Sequence, residues 1–73
     1  MNDEIEIERL NNLCLSDGDS WTIRYNDYGR GFEYRCYIWS SGRMGSWARS
    51  ESSLAEAAQK ASDRFVKKKL EAI

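Results

Sequence analysis

Histidine and proline are both missing from this 73-residue chain. Without histidine it lacks the side chain that ordinarily titrates near neutral pH, and with it the usual general base and the commonest metal ligand. Hydrophobic residues at 41% and charged residues at 32% suit a globular protein and exclude disorder, collagen-like repeat and coiled coil. Only two cysteines occur, Cys14 and Cys36, 22 positions apart and with no Cys-x-x-Cys pair. That spacing speaks against a zinc site, and both are expected as small core residues. No apolar run approaches the roughly 18 residues of a membrane span, and the start, Met-Asn-Asp-Glu-Ile-Glu, is acidic where a signal peptide is basic. A cytoplasmic chain with no membrane contact is expected. No serine stands in a nucleophile elbow and no helical carboxylate pair faces an expected pocket, so the expectation is a non-enzymatic protein without a cofactor.

What the chain does have is a run of alternating apolar and polar residues from Trp21 to Trp47, cut twice by glycine-containing turns. Alternation with period two predicts strands over about 21–26, 32–39 and 44–49. Trp21, Ile23 and Tyr25 share one side with Phe32, Tyr34, Cys36 and Ile38. Arg24, Arg35, Tyr37, Trp39, Trp47 and Arg49 fall on the other. Gly45 and Ser46 are poor strand formers, which predicts an edge or bulged third strand. The turn Asn26-Asp27-Tyr28-Gly29-Arg30-Gly31 has glycines for positive φ.

Helices flank this run. Asn2 or Asp3 is suited to cap a helix over about residues 3–14, with Ile7, Leu10, Leu13 and Cys14 on one face. The alternation of Ile5 and Ile7 with Glu4, Glu6 and Glu8 also fits a strand, but helical spacing is the better match. Toward the other end, Ser53-Leu54-Ala55-Glu56 has the capping-box pattern and opens a helix over about 53–70. Its apolar face is Leu54, Ala57, Ala58, Ala61 and Phe65. Small residues there bring the helix close to the sheet, with Trp21, Tyr25, Phe32 and Tyr34 expected to fill the space between. Val66, Leu70 and Ile73 are expected to cover the first helix. The reading is a single α+β domain spanning 1–73, a three-stranded antiparallel sheet on a C-terminal helix with a short N-terminal helix, in the order αβββα.

The net charge of −1 conceals a gradient. Residues 1–20 carry six acids (Asp3, Glu4, Glu6, Glu8, Asp17 and Asp19) against Arg9, a balance of −5. Residues 21–50 carry five arginines against Asp27 and Glu33, a balance of +3. Polarised charge of this kind steers a partner more often than it builds a fold.

Arginines with aromatic rings on one sheet face suit phosphate contacts and base stacking, and equally a protein hot spot. The plainer alternative is that Glu33 pairs with an arginine across strands and that the first helix or a second subunit shields the rings. Tyr28 and Arg30 at the hairpin tip are candidate loop contacts, with a solvated turn as the simpler reading. Lys67, Lys68 and Lys69 read as a solvated helix end.

Three strands followed by a helix that opens Ser53-Leu54-Ala55-Glu56-Ala57-Ala58 resemble the plant ethylene-responsive-element-binding factors and the arm-site domains of tyrosine integrases. That resemblance covers residues 21–65 and implies DNA contact through Arg24, Arg35, Trp39, Trp47 and Arg49. With the first helix included, the order also resembles the double-stranded RNA-binding domain. There Ser52-Ser53-Leu54-Ala55-Glu56 stands in place of the basic Lys-Lys-x-Ala-Lys signature, so a shared fold is what the resemblance implies. In size, composition and acidic start the whole chain is similar to small phage-encoded accessory proteins, anti-CRISPR inhibitors among them. This implies a monomer or homodimer that occupies a surface of a host protein or ribonucleoprotein complex, the acidic residues covering nucleic-acid-binding surface and the sheet supplying anchors. Direct DNA or RNA binding by the sheet is the alternative.

Overall fold

The computed structural model describes residues 2–15, 18–29, 31–40 and 45–71. Along the chain run α1 (Asp3–Leu13), β1 (Ser20–Asp27), β2 (Phe32–Trp39), β3 (Gly45–Ser50) and α2 (Leu54–Glu71). This is the αβββα order expected. The loop residues Ser16 and Asp17, the tip residue Arg30, the turn residues 41–43, Met44 and Ile73 lie outside the described residues.

Asn2 caps α1, its side-chain oxygen accepting from the Glu4 and Ile5 amides at 2.9 and 3.3 Å. The acidic first turn then lies at the positive end of the helix dipole. At the other helix the Ser53 hydroxyl accepts from the Glu56 amide at 3.1 Å. The return half of the capping box is replaced, because the Glu56 carboxylate takes the Ser52 hydroxyl and the Lys60 ammonium instead. The Ser50 hydroxyl accepts from the Ser52 and Ser53 amides, which turns the chain from β3 into α2.

The strands pair antiparallel in the order β1-β2-β3. Across the three strands the register lines up Thr22, Tyr37 and Trp47, then Ile23, Cys36 and Ala48, then Arg24, Arg35 and Arg49, with the β2 residue in the middle of each row. Pairing is one-to-one along β3, so the strand is an edge as expected but carries no bulge. Its burial alternates residue by residue, with Ser46, Ala48 and Ser50 inside and Gly45, Trp47 and Arg49 outside.

Both helices lie on the inner side of the sheet. Leu10 of α1 joins Cys36, Ile38, Ala48, Ala57, Ala58, Ala61 and Phe65 in one buried cluster, against which Leu13, Cys14, Trp21, Ile23 and Tyr34 pack. Alanines at the contact let the α2 backbone come near enough for the Ser46 hydroxyl to reach the Ala61 carbonyl at 3.1 Å. The Arg9 guanidinium ties α1 to α2 through Asp63 at 2.8 Å, and the Trp21 indole donates to Asn11 at 3.0 Å.

The expected core needs two corrections. Tyr25 and Phe32 are 55% and 39% exposed. The cause is where α2 begins. β3 ends at Ser50, level with Tyr34, and α2 then runs back toward Gly45, so the β1–β2 hairpin projects past the start of the helix. Tyr25, Phe32 and Tyr34 stack on one another there, with ring centroids 5.2–5.8 Å apart. Leu70, expected over α1, is also exposed.

A core this thin concentrates its stability in few side chains. Phe65→Ala is expected to cost about 3–5 kcal/mol in urea unfolding, whereas Leu70→Ala is expected to stay within about 0.5 kcal/mol. Equal losses for the two variants would show that the helix is seated differently.

Candidate functional site

The side of the sheet away from both helices is the surface on which the sequence places its arginines and rings. Strand alternation sends Arg24, Arg35, Tyr37, Trp39, Trp47 and Arg49 to that side, and the register assembles them into rows. Arg24, Arg35 and Arg49 stand abreast across the three strands. Tyr37 and Trp47 form the next row, and their rings stack at 6.2 Å with 21° between planes. Trp39 follows beyond them. Trp39 is 43% and Trp47 50% exposed, Arg24 and Arg49 are exposed, and Arg35 and Tyr37 are half-buried. Shielding of these rings by α1 does not occur, because α1 packs on the other side.

Three arginines abreast repel one another, and Glu33 is what holds two of them. It stands next to this row on the same face yet is only 3% exposed. Its carboxylate accepts from Arg35 Nε, from Arg49 Nη1 at 3.4 Å and from the Tyr28 hydroxyl at 2.8 Å. The cross-strand pairing weighed from the sequence is therefore present, but as a three-donor hub. The Tyr28 hydrogen bond and the Arg35 guanidinium pull the Glu33 carboxyl below its ordinary range against the opposing effect of burial. The same contact with Glu33 raises the Tyr28 phenol. Hydrogen bonds to Tyr37 and Glu33 hold the Arg35 guanidinium firmly protonated. Arg35 also lies over the Trp47 ring, 5.8 Å from its centroid. Arg24 makes no ion pair among the described residues.

Tyr28 thus does more than line the hairpin tip. Asp27 accepts from the Gly29 amide at 2.8 Å, and Gly29 takes φ +76°, a conformation that side-chain-bearing residues rarely adopt. The tight turn closes with the Tyr28 amide on the Gly31 carbonyl at 3.0 Å. Tyr28 reaches back from it to Glu33. Arg30 lies outside the described residues.

Shallow depressions open on this face and at its hairpin end. One of about 330 Å³ is lined by Thr22, Arg24, Tyr37 and Trp39. Another, about 410 Å³, lies between Tyr28, Phe32, Glu33, Arg49 and Glu51. The first combines a cation that makes no ion pair among the described residues with two rings, a lining suited to a planar or acidic group.

The acidic residues sit elsewhere. Glu4 and Glu8 are exposed on α1, Glu6 is half-buried beside Arg9 at 3.8 Å, and Asp19 is half-buried ahead of β1. Asp17 lies outside the described residues. The candidate binding set thus divides between α1, on the helix side, and the open face opposite.

Both cysteines are free, and Cys36 is buried at the centre of the core, where desolvation pushes its thiol up to about 12. Among the described residues no group of three or more Cys, Asp or Glu side chains is placed to hold a metal ion, and no helix is long and apolar enough to cross a membrane. Comparisons with protein-family models, with curated proteins and with solved structures find no match to this chain.

Two features of the site escape reading from sequence. Alternation sends Glu33 outward but does not reveal that three donors close over it. The role of Tyr28 depends on the turn geometry, for which the Asp27-x-Gly29 pattern is the available signal.

Glu33 has a depressed folded-state pKa, so its contribution is full above the ordinary carboxylate value of 4.5 and is lost as pH falls through the folded value. Glu33→Gln is expected to lower Tm at neutral pH, with the gap to wild type closing as pH falls below the ordinary carboxylate range and through the lowered folded value. A gap independent of pH in thermal melts would show that the carboxylate charge does not organise the face.

Proposed function

We propose that this protein is a non-enzymatic docking module whose open sheet face seats on a partner protein, in the manner of a small phage-type inhibitor that blocks a nucleic-acid-handling complex. One observation carries the reading. A folded single domain leaves Trp39, Trp47, Arg24 and Arg49 exposed together on one flat surface, although burying such rings is a main source of stability in a small fold. Trp, Tyr and Arg are the residues that dominate protein hot spots, and Tyr37 and Arg35 brace Trp47 in place before any partner arrives. The sheet face replaces the acidic α1 surface as the primary contact, because the two point in opposite directions.

Direct binding of single-stranded nucleic acid is the second reading, favoured by the row of Arg24, Arg35 and Arg49 beside stackable rings. Against it, Glu33 offsets part of the row's charge and the chain as a whole carries a net charge of −1.

Immobilised protein incubated with bacterial lysate, with and without nuclease, separates the two. The protein-directed reading expects a nucleic-acid-handling complex retained after nuclease treatment. Its capture is weakened by about thirtyfold in the Trp39→Ala, Trp47→Ala double variant and unchanged by alanine at Glu4 and Glu8. Capture that vanishes with nuclease, together with salt-sensitive binding of a labelled oligonucleotide, moves the function to nucleic acid. Loss of capture in the Glu4 and Glu8 variant but not in the tryptophan variant overturns the sheet-face reading altogether.

A further inference from the structure

The two edges of the sheet are treated differently. The hairpin bond from the Tyr28 amide to the Gly31 carbonyl sets the ladder phase. Because bonded pairs alternate in an antiparallel sheet, Thr22, Arg24 and Asn26 bond to β2, while Trp21, Ile23, Tyr25 and Asp27 turn their N–H and C=O groups outward. Carried across β2, the same phase turns Gly45, Trp47 and Arg49 outward on β3. There α2 closes the edge: Arg64 donates to the Trp47 carbonyl at 2.8 Å and Lys68 to the Gly45 carbonyl. Among the described residues nothing but β2 bonds to the β1 backbone. An eight-residue strand is left as a template for further pairing.

We infer that β1 pairs antiparallel with β1 of a second copy of this chain, joining two sheets into one of six strands about a two-fold axis at Ile23. The strand is self-complementary in that register and poorly so in its neighbours. With Ile23 on the axis, Trp21 stands opposite Tyr25 of the second copy and Thr22 opposite Arg24. Trp21, Ile23 and Tyr25 then exchange about six backbone hydrogen bonds with the second strand. The half-exposed Tyr25 ring gains an aromatic cross-strand neighbour. Moving the axis to Arg24 sets that arginine against itself, and moving it to Thr22 sets Tyr25 against Asp19. Asp27 against Asp19 ends the ladder on either side and limits its length. The pairing leaves the open face clear and stands whether or not that face binds a protein. It extends the face into one surface with the arginine and tryptophan rows of both copies.

Sedimentation equilibrium of the whole chain tests this directly. A strand-edge contact buries less than a standard interface, so a monomer–dimer equilibrium in the micromolar range is expected. Tyr25→Pro removes an outward donor and the ring that meets Trp21 of the second copy while leaving every bond to β2 in place, and is expected to weaken dimerisation at least tenfold with an unchanged far-ultraviolet circular dichroism spectrum. Thr22→Lys, which sets a lysine against Arg24 of the second copy, is expected to weaken it likewise, with relief by salt, and decides the matter if the proline variant misfolds. Trp47→Ala, on the far strand, is expected to leave the equilibrium unchanged. A chain that stays monomeric across that range overturns the inference. So does a dimer that withstands Tyr25→Pro, or Thr22→Lys, and is dissolved by Trp47→Ala, since that dimer is joined through the face.

Discussion

The close seating of one helix on one side of the sheet constrains everything else in this fold. Ala57, Ala58 and Ala61 bring α2 near enough to β3 that Ser46 bonds directly to its backbone. A thin layer of alanine provides little apolar area per residue, so Phe65, Leu10 and Ile38 supply the bulk of the core, and α1 is needed on the same side to complete it. With both helices committed to one side, no element among the described residues covers the other. Its tryptophans and arginines are solvent-facing as a consequence of how the core is closed.

That uncovered side is ordered. Arginines abreast on adjacent strands repel one another, and Glu33 relieves the repulsion for two of them while Tyr28 closes over it from the turn. Arg35 is held between the carboxylate and the Trp47 ring. Arg24, with Trp39 beside it, has no such ion pair among the described residues. The face therefore has a braced half near β3 and a more open half near β1, and the bare strand edge adjoins the open half.

Much of this was legible in the residues. Strict alternation from Trp21 to Trp39 placed every side chain of β1 and β2 on its observed side, because a period of two leaves no freedom once the register is set. The Ser53 cap and the alanine stripe located α2, and Asn2 and the spacing of Leu10 and Leu13 located α1. Misplacement came where tertiary geometry decides. Tyr25 and Phe32 have the right parity for the core, but parity does not say how far along the sheet the helix reaches. Leu70 continues a helical stripe beyond the last side chain that meets α1. The separation of the acidic residues from the aromatic face depends on which side of the sheet α1 docks, and no local pattern encodes that.

The three tryptophans occupy three distinct settings. Trp21 is half-buried with its indole bonded to Asn11, Trp47 lies against a phenol ring and a guanidinium with half of its surface open, and Trp39 stands at the end of β2 beside Arg24 and Tyr37. The chain thus carries its own optical gauges. Emission from Trp21 follows the docking of α1, quenching of Trp47 follows the charge network beside it, and Trp39 reports on the depression it lines with Thr22, Arg24 and Tyr37.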